Sequence, residues 1–369
     1  MAATIVIEDA SFETGARLAG LLALSLERFE TVRLVLRDSG AVQTWLSEHV
    51  HGPIQTCNRA NFPYEKPFSQ RVSAARELLD SDSSDVAYIF GLGASDFAVA
   101  ARSQNRRVVM HAYQTKQQIL HMLGRDQAKC DCASFCDALL VSEDYAASTM
   151  SRLFGRSPAR VENLGLRVDF EWLSRLSTEQ PAVLFNAQGE QLVWGGNFVV
   201  GGRRDTAEDA LFFASVARES PDIDFAWLGT DPHREADGES KGGMLAAGLP
   251  NLYAALRPPD PWSSLPSLGA YIVCSRESDP AVPVAASALG VSPVGFSSGA
   301  ATEFLGRYGV LCHGKPDASH LSALLSKIAG NGAAAAVSGA ERRRRQMDIE
   351  GCVDTVMRIM VDVRLTEPD

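Results

Sequence analysis

No apolar run in this sequence approaches the roughly 20 residues that a helix needs to cross a bilayer, so no transmembrane segment is expected. The opening stretch MAATIVIEDASFE carries acids where an export signal carries bases, and the expected location is the cytoplasm. Positive charge is scarce as well. Lys and Arg number 35 against 45 Asp and Glu, a net charge of -10, whereas nucleic acid requires a concentrated positive surface. The seven cysteines include no Cys-x-x-Cys pair with a downstream partner pair, which argues for reduced thiols and against a zinc site. Cys130, Cys132 and Cys136 therefore read as small buried residues. The polar Asp80-Ser-Asp82 segment has no apolar strand ahead of it, so no metal is expected there. Gly91-x-Gly93 lacks the third glycine of a dinucleotide fingerprint and does not follow the first strand; it offers instead a close backbone approach to an acceptor. Arg342 to Arg345 have no flanking aromatics and read as a solvated helix face. No internal repeat or long low-complexity linker is visible.

What is present is a regular alternation of apolar runs and helical patterns. With 46% hydrophobic and 22% charged residues, the chain reads as a soluble globular protein, and 369 residues suit two domains better than one core. ATIVIE, VRLVLRD, DVAYIF, RVVMHA and ALLVSE are strand candidates, with helices centred near residues 20, 45, 74, 98, 120 and 148. A second series follows: LVWGGN, IDFAWLG, LYAAL, AYIVCS, SPVGFS and GVLCHG. Strands alternating with helices predict α/β folding into doubly wound parallel sheets, here two of them. The polar stretch from Ser177 to Gln191 is the expected seam, giving domains 1–178 and 179–346.

One segment reads as a ligand-binding edge. AYIVCS is apolar throughout, as a strand covered on both faces is, and Glu277 follows it. Ligand crevices of open parallel sheets lie outside the carboxyl ends of the strands. A helix opening near Ala281, with Pro280 and Pro283 suited to its first turn, would aim N–H groups at the same place. SPVGFS and the Ser297-Ser298-Gly299 turn bring a second set of small polar groups beside Glu277. An acid in this position can also cap the following helix. His111, next to last in RVVMHA, is taken alone either a satisfied core histidine or a residue facing a crevice.

The segment from Cys274 to Glu303 resembles the donor-sugar motif of the retaining family-4 glycosyltransferases, which have the two-domain GT-B fold. Glu277 matches the first acid of that motif, Ala286, Ala288 and Gly290 its small residues, Pro293-Val294 its strand, and Gly299 to Glu303 its turn. The second acid is replaced by Ala285. The stretch VWGGNFVVGGRRDTAEDALFFASVA resembles the family's strand, Gly-Arg loop and following helix, with Asn197 standing where the arginine usually is. Ser84 to Gln114 resembles the strand, helix, strand and histidine of the acceptor domain, His111 taking the histidine's place. The family's Gly-Gly loop after the first strand is missing.

The resemblance implies two facing Rossmann-like domains, with the last helix, 347–369, packing back on the first. It implies a hexosyltransferase-like enzyme that takes a sugar from a nucleotide-diphosphate donor held by the second domain and transfers it, with retention, to a small-molecule acceptor held by the first. Glu277 and His111 would be catalytic. Gly195, Gly196, Asn197, Arg203, Arg204, Ser278, Asp279, Ala281, Val282, Ser298, Gly299 and Glu303 would bind the donor. Arg203 or Arg204 would neutralise the leaving diphosphate, so no metal is needed, and the nucleotide sugar is a co-substrate rather than a cofactor. A glutamate at position 285 is expected to be tolerated by the fold. A sugar-nucleotide epimerase, or a non-catalytic sugar-nucleotide or partner-binding protein of the same fold, is the alternative reading. Nothing in the sequence excludes a homodimer.

Overall fold

The computed structural model describes residues 2–11, 15–58, 62–80, 83–114, 119, 136–142, 146, 150, 160–176, 178, 180–195, 198–202, 207–228, 248–254, 262–273, 281–296, 305–306, 308–330 and 347–366. The chain divides into two compact units, Met1–Asp169 with Met347–Asp369, and Phe170–Gln346.

The first unit runs β1 (Ala2–Asp9), α1 (Arg17–Leu26), β2 (Thr31–Asp38), α2 (Val42–His49), β3 (Ile54–Thr56), α3 (Phe68–Asp80), β4 (Val86–Phe90), α4 (Ser95–Ser103), β5 (Arg107–Ala112), β6 (Ala138–Val141) and β7 (Arg160–Asn163). Its seven strands are all parallel, in the order β3-β2-β1-β4-β5-β6-β7. Successive residues of a strand point to opposite faces. Val6, Val35, Ile89, Met110 and Leu139 therefore share one face, in a common core with Ala75 and Leu79 of α3 and Phe97 and Ala98 of α4. Tyr88, Phe90 and His111 share the other. Apolar residues on both faces explain why these strands read as near-continuous runs rather than alternating ones. β3 had no counterpart among the expected strands.

The second unit runs α5 (Phe170–Leu176), β8 (Val199–Gly202), α6 (Ala207–Glu219), β9 (Asp224–Trp227), β10 (Leu252–Tyr253), β11 (Ala270–Val273), α7 (Ala281–Ala288), β12 (Ser292–Phe296), β13 (Val310–Cys312) and α8 (Ala318–Gly330). Its six parallel strands are ordered β10-β9-β8-β11-β12-β13. Val200, Phe225, Ile272 and Val294 form a core with Phe213 of α6 and Leu321 of α8. α8 starts cleanly because the Asp317 carboxylate accepts the N–H groups of Ser319 and His320, the usual work of an N-cap acid. The chain then returns to the first unit as α9 (Glu350–Leu365), which packs against α1, β4 and β5.

Two expectations need correction. The seam was expected after residue 178, but the second unit begins at Phe170. The polar stretch that suggested a linker is tied into that unit: Ala182 donates to Ser264 Oγ at 3.0 Å, Phe185 bridges Ala254, and the Trp194 indole N–H reaches the Ala182 carbonyl at 2.8 Å. LVWGGN was expected as a strand, whereas Trp194 and Gly195 form a turn and the strand is the following VVGG, Val199–Gly202. The helices expected near residues 120 and 148 fall largely outside the described residues. Among the described residues no helix is long and apolar enough to cross a membrane, and no three acids, histidines or cysteines cluster as metal ligands would.

Candidate functional site

An open parallel sheet has a topological switch point, where neighbouring strands lead away to opposite sides and a crevice opens at their carboxyl ends. In the second unit it lies between β8 and β11, which are paired through Ile272 and Gly202. β8 ends at Gly202 and β11 at Val273. The sequence leaving β8 begins with Arg203 and Arg204, and that leaving β11 carries Glu277, Ser278 and Asp279. These residues lie outside the described ones, as do Gly196, Asn197, Ser298, Gly299, Glu303 and the Ala281 side chain. Both strands that lead to the proposed donor residues thus end at the switch point. Gly195 is different: it belongs to the turn entering β8, so it does not follow a strand's carboxyl end as the donor-loop alignment required. Val282 is buried in the first turn of α7. Ala285 has no exposed surface, which overturns the expectation that a glutamate fits there: its carboxylate would be carried into an enclosed position.

In the first unit the switch point lies between β1 and β4, and a carboxylate stands there. Glu8, near the carboxyl end of β1, accepts hydrogen bonds at Oε2 from the Gly93 N–H and from Gln114 Nε2, each at 2.8 Å. The turn that receives it has every early N–H occupied. Gly91 donates to the His111 carbonyl at 2.8 Å and Leu92 to Gln114 Oε1 at 3.3 Å, which also fixes the orientation of the Gln114 amide. The glycines are required by this approach: a Cβ on Gly93 would meet Glu8 Oε1 at 1.9 Å, and one on Gly91 would meet Oε2 at 2.1 Å with φ at +101°. The close approach foreseen for an acceptor is therefore made by the chain's own side chain. Burial pushes the Glu8 carboxyl above its usual range, opposed by the Gly93 N–H, Arg37 and Gln114.

Charges alternate outward from Glu8. Arg37 of β2 lies 3.4 Å from Asp96 of α4, and the Arg71 Nε of α3 donates to the same carboxylate at 3.2 Å. Asp96 is fully buried; desolvation raises its pKa while the two guanidiniums and the Phe97 N–H pull the other way. Aromatic faces wall the cluster, with the Arg37 guanidinium 5.8 Å from the Phe62 ring and 5.5 Å from that of Tyr64.

His111 is 3% exposed. Its Nδ1 is 2.7 Å from the Tyr88 hydroxyl, and its ring meets Phe90 edge to face with centroids 5.0 Å apart. Burial lowers its pKa to about 3, with a further push from Arg167, so the imidazole is neutral. Neutral Nδ1 can then accept a hydrogen bond from the tyrosine hydroxyl. The sequence reading passed over Glu8, although the rule that singled out Glu277, an acid at the carboxyl end of an apolar strand, applies equally to it.

No protein-family model matches the chain, and no curated protein does. Solved structures match over its whole length. Anabaena HepE, solved in complex with UDP and glucose, is 17% identical with a TM-score of 0.71, covering 98% of this chain and 100% of that one. Sucrose-phosphate synthase from Thermosynechococcus elongatus is 13% identical at a TM-score of 0.69, covering 98% and 99%. A putative UDP-N-acetylglucosamine 2-epimerase from Listeria monocytogenes is 12% identical at 0.66, covering 99% and 97%. The two parallel α/β units are those of the GT-B fold.

Proposed function

We propose that the protein is a metal-independent, retaining glycosyltransferase that takes a hexose from a nucleotide-diphosphate donor and passes it to a small acceptor. The carrying observation is the ending of β8 and β11 side by side at the switch point of the second unit, where the sequence supplies Arg203-Arg204 from one strand and Glu277 from the other. Cations suit a diphosphate on which charge develops as the glycosidic bond breaks, and a carboxylate suits the sugar hydroxyls. The first unit, with its own switch point, would take the acceptor. The complexes of HepE with UDP and with UDP-glucose make uracil the first base to try.

A thermal-shift series with UDP, GDP and ADP in EDTA tests the donor half, because a ligand bound only by the folded state raises the melting temperature. One of them should raise it, and the matching nucleotide sugar should be consumed when acceptors are added. Consumption or isomerisation without acceptor would indicate the epimerase chemistry named for the Listeria neighbour. Saturating binding with no turnover across acceptors would indicate a binding protein, and no shift with any nucleotide would remove the assignment.

A further inference from the structure

Successive backbone N–H groups in a glycine turn, at a switch point and ahead of a helix, ordinarily make an anion cradle. Here the cradle is filled from within. The Gly91, Leu92 and Gly93 N–H groups are taken by the His111 carbonyl, Gln114 Oε1 and Glu8 Oε2. Glu8 thus occupies the position of a bound anion. Its second oxygen, Oε1, makes no hydrogen bond among the described residues, and the Glu8 side chain is partly exposed. Arg37, whose charge is felt at Glu8, does not restore an anion site, because it faces the Asp96 carboxylate and its Nε is enclosed.

We propose that Glu8 Oε1 is an acceptor-recognition group that receives a hydrogen bond from a hydroxyl or ammonium of the acceptor, and that the acceptor is a neutral or amino sugar rather than a sugar phosphate. This rests on the glycosyltransferase reading only in calling the ligand an acceptor. A phosphate at this point would meet a carboxylate and no free N–H, whereas a hydroxyl or ammonium meets an acceptor already fixed by two donors. Gln114 is a positioning residue, holding both the carboxylate and the turn.

Titration of the full chain with glucose, glucosamine and glucose 6-phosphate, for wild type and Glu8→Gln, tests this directly. Wild type should bind glucosamine or glucose at least about tenfold more tightly than glucose 6-phosphate. Glu8→Gln, nearly isosteric, should weaken the preferred sugar by about tenfold, the scale of a lost hydrogen bond to a charged group. The UDP-induced thermal shift, measured on the same samples, should be unchanged in Glu8→Gln, which also reports that the variant is folded. Equal sugar affinity in the two proteins, tighter binding of glucose 6-phosphate, or no binding of any of the three overturns the proposal whatever UDP does. Loss of the UDP shift in wild type alone overturns the donor assignment instead.

Discussion

Arg17 Nε donates to Asp169 Oδ2 at 2.6 Å, in an ion pair whose side chains are 2% and 1% exposed. Arg17 opens α1, and Asp169 is the last residue before the chain leaves the first unit. The pair fastens that exit to the helix on which α9 also packs, and the Arg17 guanidinium lies 5.3 Å from the Trp45 ring. Removing Asp169 takes away the closest charge partner of a buried guanidinium and leaves it the longer contact of Nη2 with the exposed Glu350, 3.6 Å away. Asp169→Ala should therefore cost about 3 to 5 kcal/mol of stability, read from urea denaturation. A loss below about 1 kcal/mol would mean that water reaches the arginine.

Gly93 and Glu8 should behave as one unit. Gly93→Ala puts a methyl where Glu8 Oε1 lies, and the glutamate must move away, at a cost of about 1 to 3 kcal/mol. Glu8→Ala clears the space. The double variant should thus be less destabilised than the sum of the single ones, and strict additivity over the four proteins would deny the contact.

His111 gives the first unit an acid sensitivity of definite sign. Its folded pKa is lowered to about 3 from an ordinary value of 6.5. Above 6.5 it is neutral in both states and contributes nothing to the pH dependence. As pH falls from 6.5 toward 3 the unfolded chain takes up a proton that the folded chain refuses, so stability declines by up to about 1.36 kcal/mol per unit and levels off below. Between about pH 7 and pH 5 the urea midpoint of wild type should fall more than that of His111→Gln, whose side chain does not titrate. Parallel declines would place the histidine in contact with water.

The fold was legible where strands are covered on both faces, because every residue of such a strand is apolar whichever way it points. RVVMHA became β5 with the same ends, Arg107–Ala112. β3 was not, since its three residues are all half-buried and an edge strand that short makes no run. β8 was displaced by its own composition. VVGG contains two glycines, poor strand formers, while the neighbouring LVWGG looks more apolar, yet its Trp194 and Gly195 form a turn. The Glu8 site was hidden for another reason: its partners Gly93 and Gln114 are 85 and 106 residues away, and one of them is a backbone N–H that no sequence pattern marks.

The donor half makes a prediction about charge. Arg203 and Arg204 leave the strand that ends at the switch point of the second unit. Replacing both with Ala should weaken nucleoside diphosphate binding by about 1.5 to 3 kcal/mol for each charge-assisted bond lost, as measured by calorimetry. EDTA should leave both binding and turnover intact. Binding that survives the double substitution but not the chelator would reassign the diphosphate to a metal.

Ala285 separates donor grip from fold. It lies within α7, every residue of which from Val282 to Ala288 is buried, and Ser287 Oγ is tied to the Tyr308 carbonyl at 2.8 Å. α7 packs against β11 and β12, so the helix has no room to turn a longer side chain outward. Ala285→Glu must then enclose a carboxylate, or its neutral form, with no described partner, at a cost of about 2 kcal/mol or more. Ala285→Ser, smaller and neutral, should cost less. Urea midpoints for the two variants, with and without saturating UDP, give the test. If Ala285→Glu loses stability alone and regains it with the nucleotide, the new carboxylate has found the ribose; if it is as stable as wild type alone, the helix is more open on that side than its burial indicates.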